Sequence, residues 1–85
     1  MNLIIDLSKK EIELILKEEN KKIASHSWTG LYQLSETLIF EIDKFLKKNK
    51  IKLEDVGGVE VVPSKESLVS TRIAKAVALG LKVPA

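Results

Sequence analysis

Apolar and polar positions in the first 28 residues follow the patterns of β-strands. Leu3–Ile5 is an unbroken apolar run, which is typical of a central strand covered on both faces. Apolar and polar residues alternate over residues 11–17, which predicts a second strand with one buried face. The polar cluster that follows predicts a hairpin turn and then a third strand over residues 22–28. Because Ile23 and Trp28 do not share a face at a period of two, we expect this strand to be twisted, bulged or at the sheet edge.

An amphipathic helix is predicted next. Ser35 suits its N-cap, Glu36 suits the positive end of the helix dipole, and we expect the helix to end near Lys48. At about 100° per residue, the apolar side chains within one arc predict the buried face: Leu34, Leu38, Ile39, Ile42, Phe45 and Leu46. Phe40 projects outside that arc, among lysines, which raises the question of what its ring contacts.

The last third of the chain predicts a strand and a second helix. Val59–Val62 reads as a fourth strand that Pro63 ends. Ser64 or Ser67 can cap the helix that follows. Apolar residues four apart form a stripe along it: Val69, Ile73, Val77 and Leu81. Beyond this helix, Val83–Ala85 resembles the start of a further strand.

The order β-β-β-α-β-α, followed by the start of a strand, leads to one topology. Three antiparallel strands and a right-handed crossover through the first helix place the fourth strand beside the first. The expected fold is therefore α/β, with a mixed sheet of strand order 3-2-1-4 and two helices. We expect residues 1–85 to form a single domain.

Length and composition limit the class of protein. A chain of 85 residues buries only about 60–65% of its unfolded surface, so its core is thin. The chain has no cysteine, which excludes disulfides and thiolate metal sites. The first apolar run is too short for a signal sequence, and no segment approaches the roughly 20 apolar residues of a membrane span. We therefore expect a cytoplasmic protein with no membrane contact.

The charge of the chain is only mildly basic. The formal net charge of +2 is below the dense positive charge of proteins that grip phosphate backbones. Lysines nevertheless cluster in and after the first helix: Lys44, Lys47, Lys48, Lys50 and Lys52. Cations at a helix C-terminus offset the negative end of the dipole and keep the surface solvated, and we favour this interpretation. A small RNA-binding accessory protein that uses these lysines is the alternative.

Four stretches of the chain resemble the N-terminal half of the TsaB (YeaZ) family. They are LIIDLS, SETLIFEIDKFLKK, LEDVGGVEVV and SLVSTRIAKAVALGLKVPA. Ser35–Ile39 match the family's helix start, S-E-T-L-L-P, with Phe40 in place of the proline and Leu34 in place of a frequent histidine. The chain matches the family's glycine-rich motif G-P-G-S-F-T-G-L-R-I-G less well. Three residues of the motif are present, Ser67, Arg72 and Ile73, but none of its glycines is.

This resemblance implies both a fold and a cellular context. TsaB is related to TsaD, the enzyme of bacterial tRNA threonylcarbamoyladenosine synthesis, and both have the actin-like ATPase fold, which is ribonuclease H-like. The chain would then be a single, truncated TsaB-like N-terminal lobe over residues 1–85. ATPases of this superfamily hold the nucleotide between two lobes, and the second is absent from this sequence. The resemblance therefore implies no cofactor and a pseudo-enzyme scaffold.

Two segments correspond to phosphate-binding positions of that superfamily. Asp6 and Ser8 occupy the first phosphate-binding turn, but Asp6 can equally end a strand while Ser8 hydrogen-bonds within the turn. Residues 63–70 have no glycine that would let the backbone approach a phosphate closely, so their polar residues are interpreted as cap and surface positions. These are Lys65, Ser67 and Ser70. A nucleotide-binding half that a second chain completes is the alternative function.

The only histidine, His26, has no cysteine or second histidine at the spacing of metal ligands. No metal site is therefore predicted, and His26 is interpreted as a residue of the strand surface or hairpin. No Ser-His-Asp arrangement is accompanied by a nucleophile elbow.

A protein interface is the remaining functional prediction. In the TsaB family the helices of this lobe pack against the equivalent helices of TsaD, so the resemblance implies a binding surface on the two helices. The predicted interface comprises Thr37, Phe40, Glu41, Lys44, Arg72 and Ala76. Aromatic residues are enriched at interface centres, which favours Phe40 as an anchor. We thus expect a non-catalytic subunit that forms a heterodimer with a TsaD-like protein, or a homodimer, and acts on tRNA only indirectly.

Overall fold

The computed structural model of the protein describes residues 1–81, which form a four-stranded sheet and two α-helices. The elements are β1 (Asn2–Asp6), β2 (Ile12–Glu18), β3 (Lys21–Trp28), α1 (Leu34–Lys48), β4 (Gly58–Val62) and α2 (Leu68–Leu81), with short 3-10 turns at Leu31–Gln33 and Leu53–Asp55. The predicted start of a strand at Val83–Ala85 lies outside the described residues.

The sheet has the predicted topology. Its strand order is β3-β2-β1-β4, with β1 antiparallel to β2 and parallel to β4, and with β2 antiparallel to β3. α1 connects β3 to β4, and α2 packs on both α1 and β4. The predicted α/β class and the strand order 3-2-1-4 are therefore confirmed.

The β2–β3 hairpin contains a tight turn and a bulge. Glu19 and Asn20 form the turn with φ angles of 52° and 67°, the left-handed values of two-residue hairpin turns whose twist matches that of the strands. The pairing register shifts between Leu16 and Lys17, and Ile23 is the extra residue on the opposite strand. The prediction of a bulged edge strand is therefore confirmed.

One face of the sheet carries the core, and both helices cover that face. Its buried residues include Leu3, Ile5, Leu14 and Leu16 from the strands and Leu34, Leu38, Ile42, Phe45, Leu46, Ala74 and Ala78 from the helices. Ile4 points to the opposite face, where it pairs with Ile15 and is only 9% exposed. No helix among residues 1–81 covers that face, so the prediction that elements cover both faces of β1 is wrong.

The start of α1 differs from the prediction. The helix begins at Leu34, with Gln33 at the N-cap and no side-chain capping bond. A 3-10 turn leads directly into it, because the Gln33 N–H donates to the Gly30 carbonyl over 3.0 Å. Gly30 adopts φ 109°, which favours glycine. Ser35 therefore lies inside the first turn, and its predicted role as N-cap is wrong. The predicted end at Lys48 is confirmed.

Small side chains line the side of α2 that faces the sheet. Ser67 precedes the helix, and its Oγ accepts a hydrogen bond from the Ser70 N–H over 3.1 Å, so the predicted cap is confirmed. The buried helical residues are Ser70, Thr71, Ala74 and Ala78. The surface position predicted for Ser70 is wrong, because its hydroxyl is buried and donates to the Leu31 carbonyl over 3.0 Å. No helix among residues 1–81 is long and apolar enough to span a bilayer.

Candidate functional site

The predicted phosphate turn lies where β1 and β4 end side by side. The Leu7 N–H donates to the Val62 carbonyl over 3.0 Å and joins the two strand ends. Oδ1 of Asp6 accepts hydrogen bonds from the Ser8 N–H over 2.8 Å and from the Ser8 hydroxyl over 2.6 Å. The turn therefore satisfies its own polar groups, as the structural interpretation of Asp6 and Ser8 predicted.

The residues beside this turn do not fit a nucleotide. The adjoining cavity has a volume of about 130 Å³, whereas ligand sites usually occupy roughly 300–1,000 Å³. The hydroxyls at the start of α2 are also engaged internally, since Ser67 donates to Ser70 over 2.9 Å and Ser70 donates to Leu31. No group of three metal-ligating side chains occurs among residues 1–81. Within residues 1–81, this turn therefore has neither a cavity of nucleotide size nor a cluster of metal-ligating side chains.

His26 and Trp28 of β3 connect the sheet to α1. Nε2 of His26 lies 2.7 Å from Oε2 of Glu41, and the Trp28 indole N–H donates to the Thr37 hydroxyl over 3.4 Å. The hydrogen bond from His26 lowers the pKa of Glu41, and the charge of Lys44 lowers it further, while burial opposes both effects. The prediction that His26 lies on the strand surface or in the hairpin is confirmed, because it belongs to β3 of the β2–β3 hairpin and its side chain is 38% exposed; the contact of its ring with α1 was not predicted.

The His26 ring stacks against two other aromatic rings, and within residues 1–81 its hydrogen-bond partner is the Glu41 carboxylate, not a serine. Its centroid is 5.6 Å from that of Trp28 and 6.1 Å from that of Phe45, and both pairs are stacked. Ser25 and Ser27 flank His26 in sequence, but successive strand residues point to opposite faces of a sheet. The histidine, the carboxylate and a serine therefore do not assemble into a hydrolytic triad.

The six predicted interface residues form two groups, two that contact β3 and four that are exposed on the helices. Thr37 and Glu41 lie on the side of α1 that faces β3, where both have partners within the chain. Phe40 is 60% exposed, and the ammonium of Lys44 lies 4.9 Å from the centre of its ring. The position predicted for Phe40, outside the buried arc, is confirmed. The other two, Arg72 and Ala76, are exposed on the outer side of α2.

Ile39 lies outside the buried face of α1, so the prediction that it belongs to that face is wrong. Its side chain is 61% exposed. Because Thr37 and Glu41 occupy the flank towards β3, Ile39, about 100° or more around the helix, occupies the flank towards α2. A residue at the edge of a helical arc is buried only if a neighbouring element covers it, and at Ile39 the two helices leave an open groove.

Apolar residues of α2 continue the exposed surface that begins at Ile39. One flank of α2, which carries Lys75 and Leu79, lies beside β4. Because α2 also packs on α1, its other flank faces α1. On that flank Val69 is 67% exposed, while further apolar positions are half-buried or exposed. We call the surface that runs from Ile39 across this flank to the adjoining outer side of α2 the interhelical strip: Ile39, Val69, Ile73, Ala76 and Val77.

An apolar groove extends the interhelical strip at the ends of the helices. It has a volume of about 480 Å³ and is lined by Ile39, Ile42, Asp43, Leu46, Lys47, Ile51, Lys52, Leu53 and Leu81. The floor is apolar and the rim is charged, which is the arrangement of a protein-binding surface. A search of the sequence for apolar residues on both flanks of the buried arc could have found this surface.

The fold occurs in solved structures of a known protein. YeaZ from Pseudomonas aeruginosa matches with a TM-score of 0.75 and 21% identity, over 95% of this chain and 38% of that chain. A protein from the same organism, described as uncharacterized with similarity to the peptidase YeaZ, matches with a TM-score of 0.74 and the same identity and coverage. No family model and no curated protein matches the chain.

These matches confirm the fold that the sequence resemblance predicted. The chain has the architecture of one actin-like, ribonuclease H-like lobe, and it spans 38% of the length of the two proteins it matches. This coverage is consistent with the N-terminal lobe of YeaZ, the family that the sequence resembles.

Proposed function

We propose that this chain is a TsaB-like, non-catalytic interaction subunit that binds a TsaD-like protein, or a second copy of itself, through α1 and α2. Its connection to tRNA modification is indirect and passes through the partner. The fold shared with YeaZ and the sequence resemblance supply the context. The observation that carries the proposal is the interhelical strip.

The interhelical strip offers more apolar surface than isolated exposed residues do. Ile39 and Val69 stand on two helices that pack side by side, and Ala76 leaves space for a close approach. Burying one such large side chain stabilises a complex by roughly 1.5–3 kcal/mol. Partner helices packed along the strip would bury both Ile39 and Val69. We place Ile39, Val69 and Ala76 at the centre of the interface, with Phe40 as a second buried anchor beside them and Arg72 at the rim.

The hydrogen bonds at the strand ends favour this function over a nucleotide-binding half. A phosphate site needs free donors, but the Ser8, Ser67 and Ser70 hydroxyls all donate within the chain. Nucleotide binding would have to break these bonds. Calorimetry with ATP and magnesium, with and without a second chain, should therefore give no heat of binding.

Size-exclusion chromatography with light scattering, on the chain alone and mixed with the TsaD-like protein of the same organism, tests the proposal. We expect a complex of defined mass. Ile39→Asp and Val69→Asp should each weaken it at least about tenfold, because a desolvated carboxylate replaces an apolar contact.

Leu79→Asp is the matched control. Leu79 is 71% exposed on the same helix as Val69 but lies on the flank towards β4, so its substitution should leave the complex intact. A complex that resists the Ile39 and Val69 substitutions, or that Leu79→Asp disrupts equally, would contradict the proposed surface. Failure to form a complex in either arrangement would contradict the function.

A further inference from the structure

The strand β3 forms an open edge of the sheet. Within residues 1–81 it pairs only with β2, so its outer side has no partner strand. Alternate residues of an edge strand direct their N–H and C=O groups away from the sheet, where another extended chain can pair with them. This edge is eight residues long, from Lys21 to Trp28.

A groove with an apolar floor follows this edge under the second half of α1. Its volume is about 650 Å³. β3 contributes Ala24, Ser25 and His26, α1 contributes Lys44, Phe45, Lys47 and Lys48, and Asn49 follows directly after the helix. The small Ala24 side chain leaves space above the strand. The stacked pair of His26 and Phe45 closes one wall.

Lysines give the rim of the groove its charge. Lys44 lies 3.6 Å from Glu41, and Lys47 lies 3.0 Å from Asp43, so each shares its charge with an acid of α1. Lys48 forms no ion pair with another residue of the range 1–81. Lys21 and Lys22 begin the strand itself, and Lys22 lies 3.8 Å from Glu13 of β2, which compensates its charge.

We propose that the edge of β3 binds an extended acidic peptide segment of another protein as a fifth strand, with carboxylates at alternate positions facing the lysines of α1. Such a strand would donate and accept backbone hydrogen bonds along β3 while every second side chain lay on the helix-covered face. Those side chains are about 6.8 Å apart. Lys44 and Lys48, four helical residues apart, are separated by about 6 Å along the axis, which matches that spacing.

The charge of the edge selects this occupant over a second copy. β3 itself carries two lysines and no acidic residue, so the β3 strand of a second copy would bring no carboxylate to the lysines of α1. An acidic strand would bring a carboxylate at every second position of the helix-covered face. The charges also argue against a nucleic acid. Glu41 and Asp43 already compensate two of the lysines on α1, so the groove offers a phosphate backbone less positive charge than a nucleic-acid site usually has.

Fluorescence anisotropy with a labelled peptide of alternating threonine and glutamate tests the proposal. The peptide has eight residues, the length of β3. We expect saturable binding at low salt. Lys48→Glu should weaken it at least about tenfold. Lys75→Glu makes the same charge change beside β4 and should not. A peptide with lysine in place of glutamate should not bind.

A second peptide tests whether a strand is added. The same sequence carrying N-methyl groups on alternate backbone amides keeps its charge but cannot pair along an edge, so we expect it to bind at least about tenfold more weakly. Equal binding of the methylated peptide would overturn strand addition. Equal binding to Lys48→Glu and wild type, no binding up to about 1 mM, or preferential binding of a single-stranded RNA would overturn the proposal.

Discussion

At the scale of single residues, the contact between β3 and α1 depends on polar side chains. His26 and Glu41 form a hydrogen bond of 2.7 Å between elements that are separated by a turn. Trp28 and Thr37 form a second, longer contact nearby. β3 is an edge strand with no fully buried side chain, so these side-chain bonds add to the packing of Ala24 and Trp28 on the core in holding the strand against the helix. Glu41, predicted for a partner interface, therefore has a role within the chain as well.

Glu41 should make the stability of the fold depend on pH on the acid side. The pKa of Glu41 lies below its ordinary value of 4.5, chiefly because of the hydrogen bond from His26. A carboxylate with a lowered pKa stabilises the folded state above pH 4.5, and this contribution is lost as the pH falls through its folded-state pKa. We expect the free energy of unfolding of wild type to be higher than that of Glu41→Gln just above pH 4.5. This difference should vanish below the folded-state pKa of Glu41.

Urea unfolding followed by the fluorescence of Trp28, the only tryptophan, measures this difference. The same comparison in a His26→Asn background is the control, because the main cause of the lowered pKa is then absent and the effect should shrink. A difference that persists unchanged at low pH, or in the His26→Asn background, would refute the assignment.

Phe40→Asp should weaken partner or self-association while the far-UV circular dichroism stays native. The ring is exposed, so the fold does not require it, and burying a phenylalanine at a contact contributes roughly 1.5–3 kcal/mol. Light scattering measures the association. Tyr32→Asp removes another exposed aromatic residue outside the predicted interface and should have no effect. Unchanged association in Phe40→Asp would remove this residue from the interface.

At the scale of elements, periodicity predicted the helices and strands well but not what each helix face contacts. The apolar alternation of β2 and the bulged β3 were predictable, because a period of two directly reports the two faces of a sheet. The stripe of Val69, Ile73 and Val77 was also visible, but the side of α2 that is buried carries serine, threonine and alanine. Such small residues give a weak hydropathy signal. The bond between His26 and Glu41 was not predictable either, since it depends on how α1 lies across β3.

At the C-terminus of α1, a lysine occupies a left-handed backbone position that suits glycine better. Lys50 adopts φ 57°, and around it the Lys50 N–H donates to the Lys47 carbonyl and the Ile51 N–H to the Leu46 carbonyl. This is the Schellman arrangement, in which glycine usually occupies the left-handed position. Lys50→Gly should therefore raise the free energy of unfolding by about 1 kcal/mol.

Chemical denaturation measures the free energies of unfolding of wild type, Lys50→Gly and the control variant Lys48→Gly. Lys48 is the last residue of α1 and has a right-handed backbone, so glycine there should not raise the free energy of unfolding, because glycine is a poor helix former. Equal effects of the two substitutions would mean that the left-handed backbone at Lys50 carries no strain.

At the scale of the whole molecule, the fold combines a thin core with apolar surface on one side. A domain of this size has little stability to spare, typically within about 5–15 kcal/mol. Each exposed apolar residue of the interhelical strip is a contact that a partner can add. Binding that selects the folded state stabilises it by mass action, so assembly and stability are linked.

The thermal midpoint of the chain should therefore report its assembly. If a second copy covers the interhelical strip, the midpoint rises with protein concentration over about a hundredfold range; if a TsaD-like protein covers it, the midpoint rises when that protein is added. Ile39→Asp combined with Val69→Asp should abolish either rise, whereas Leu79→Asp should preserve it. Scanning calorimetry measures the midpoint. A wild-type midpoint that changes in neither experiment would mean that the strip is an ordinary exposed surface, because no bound partner would then favour the folded state.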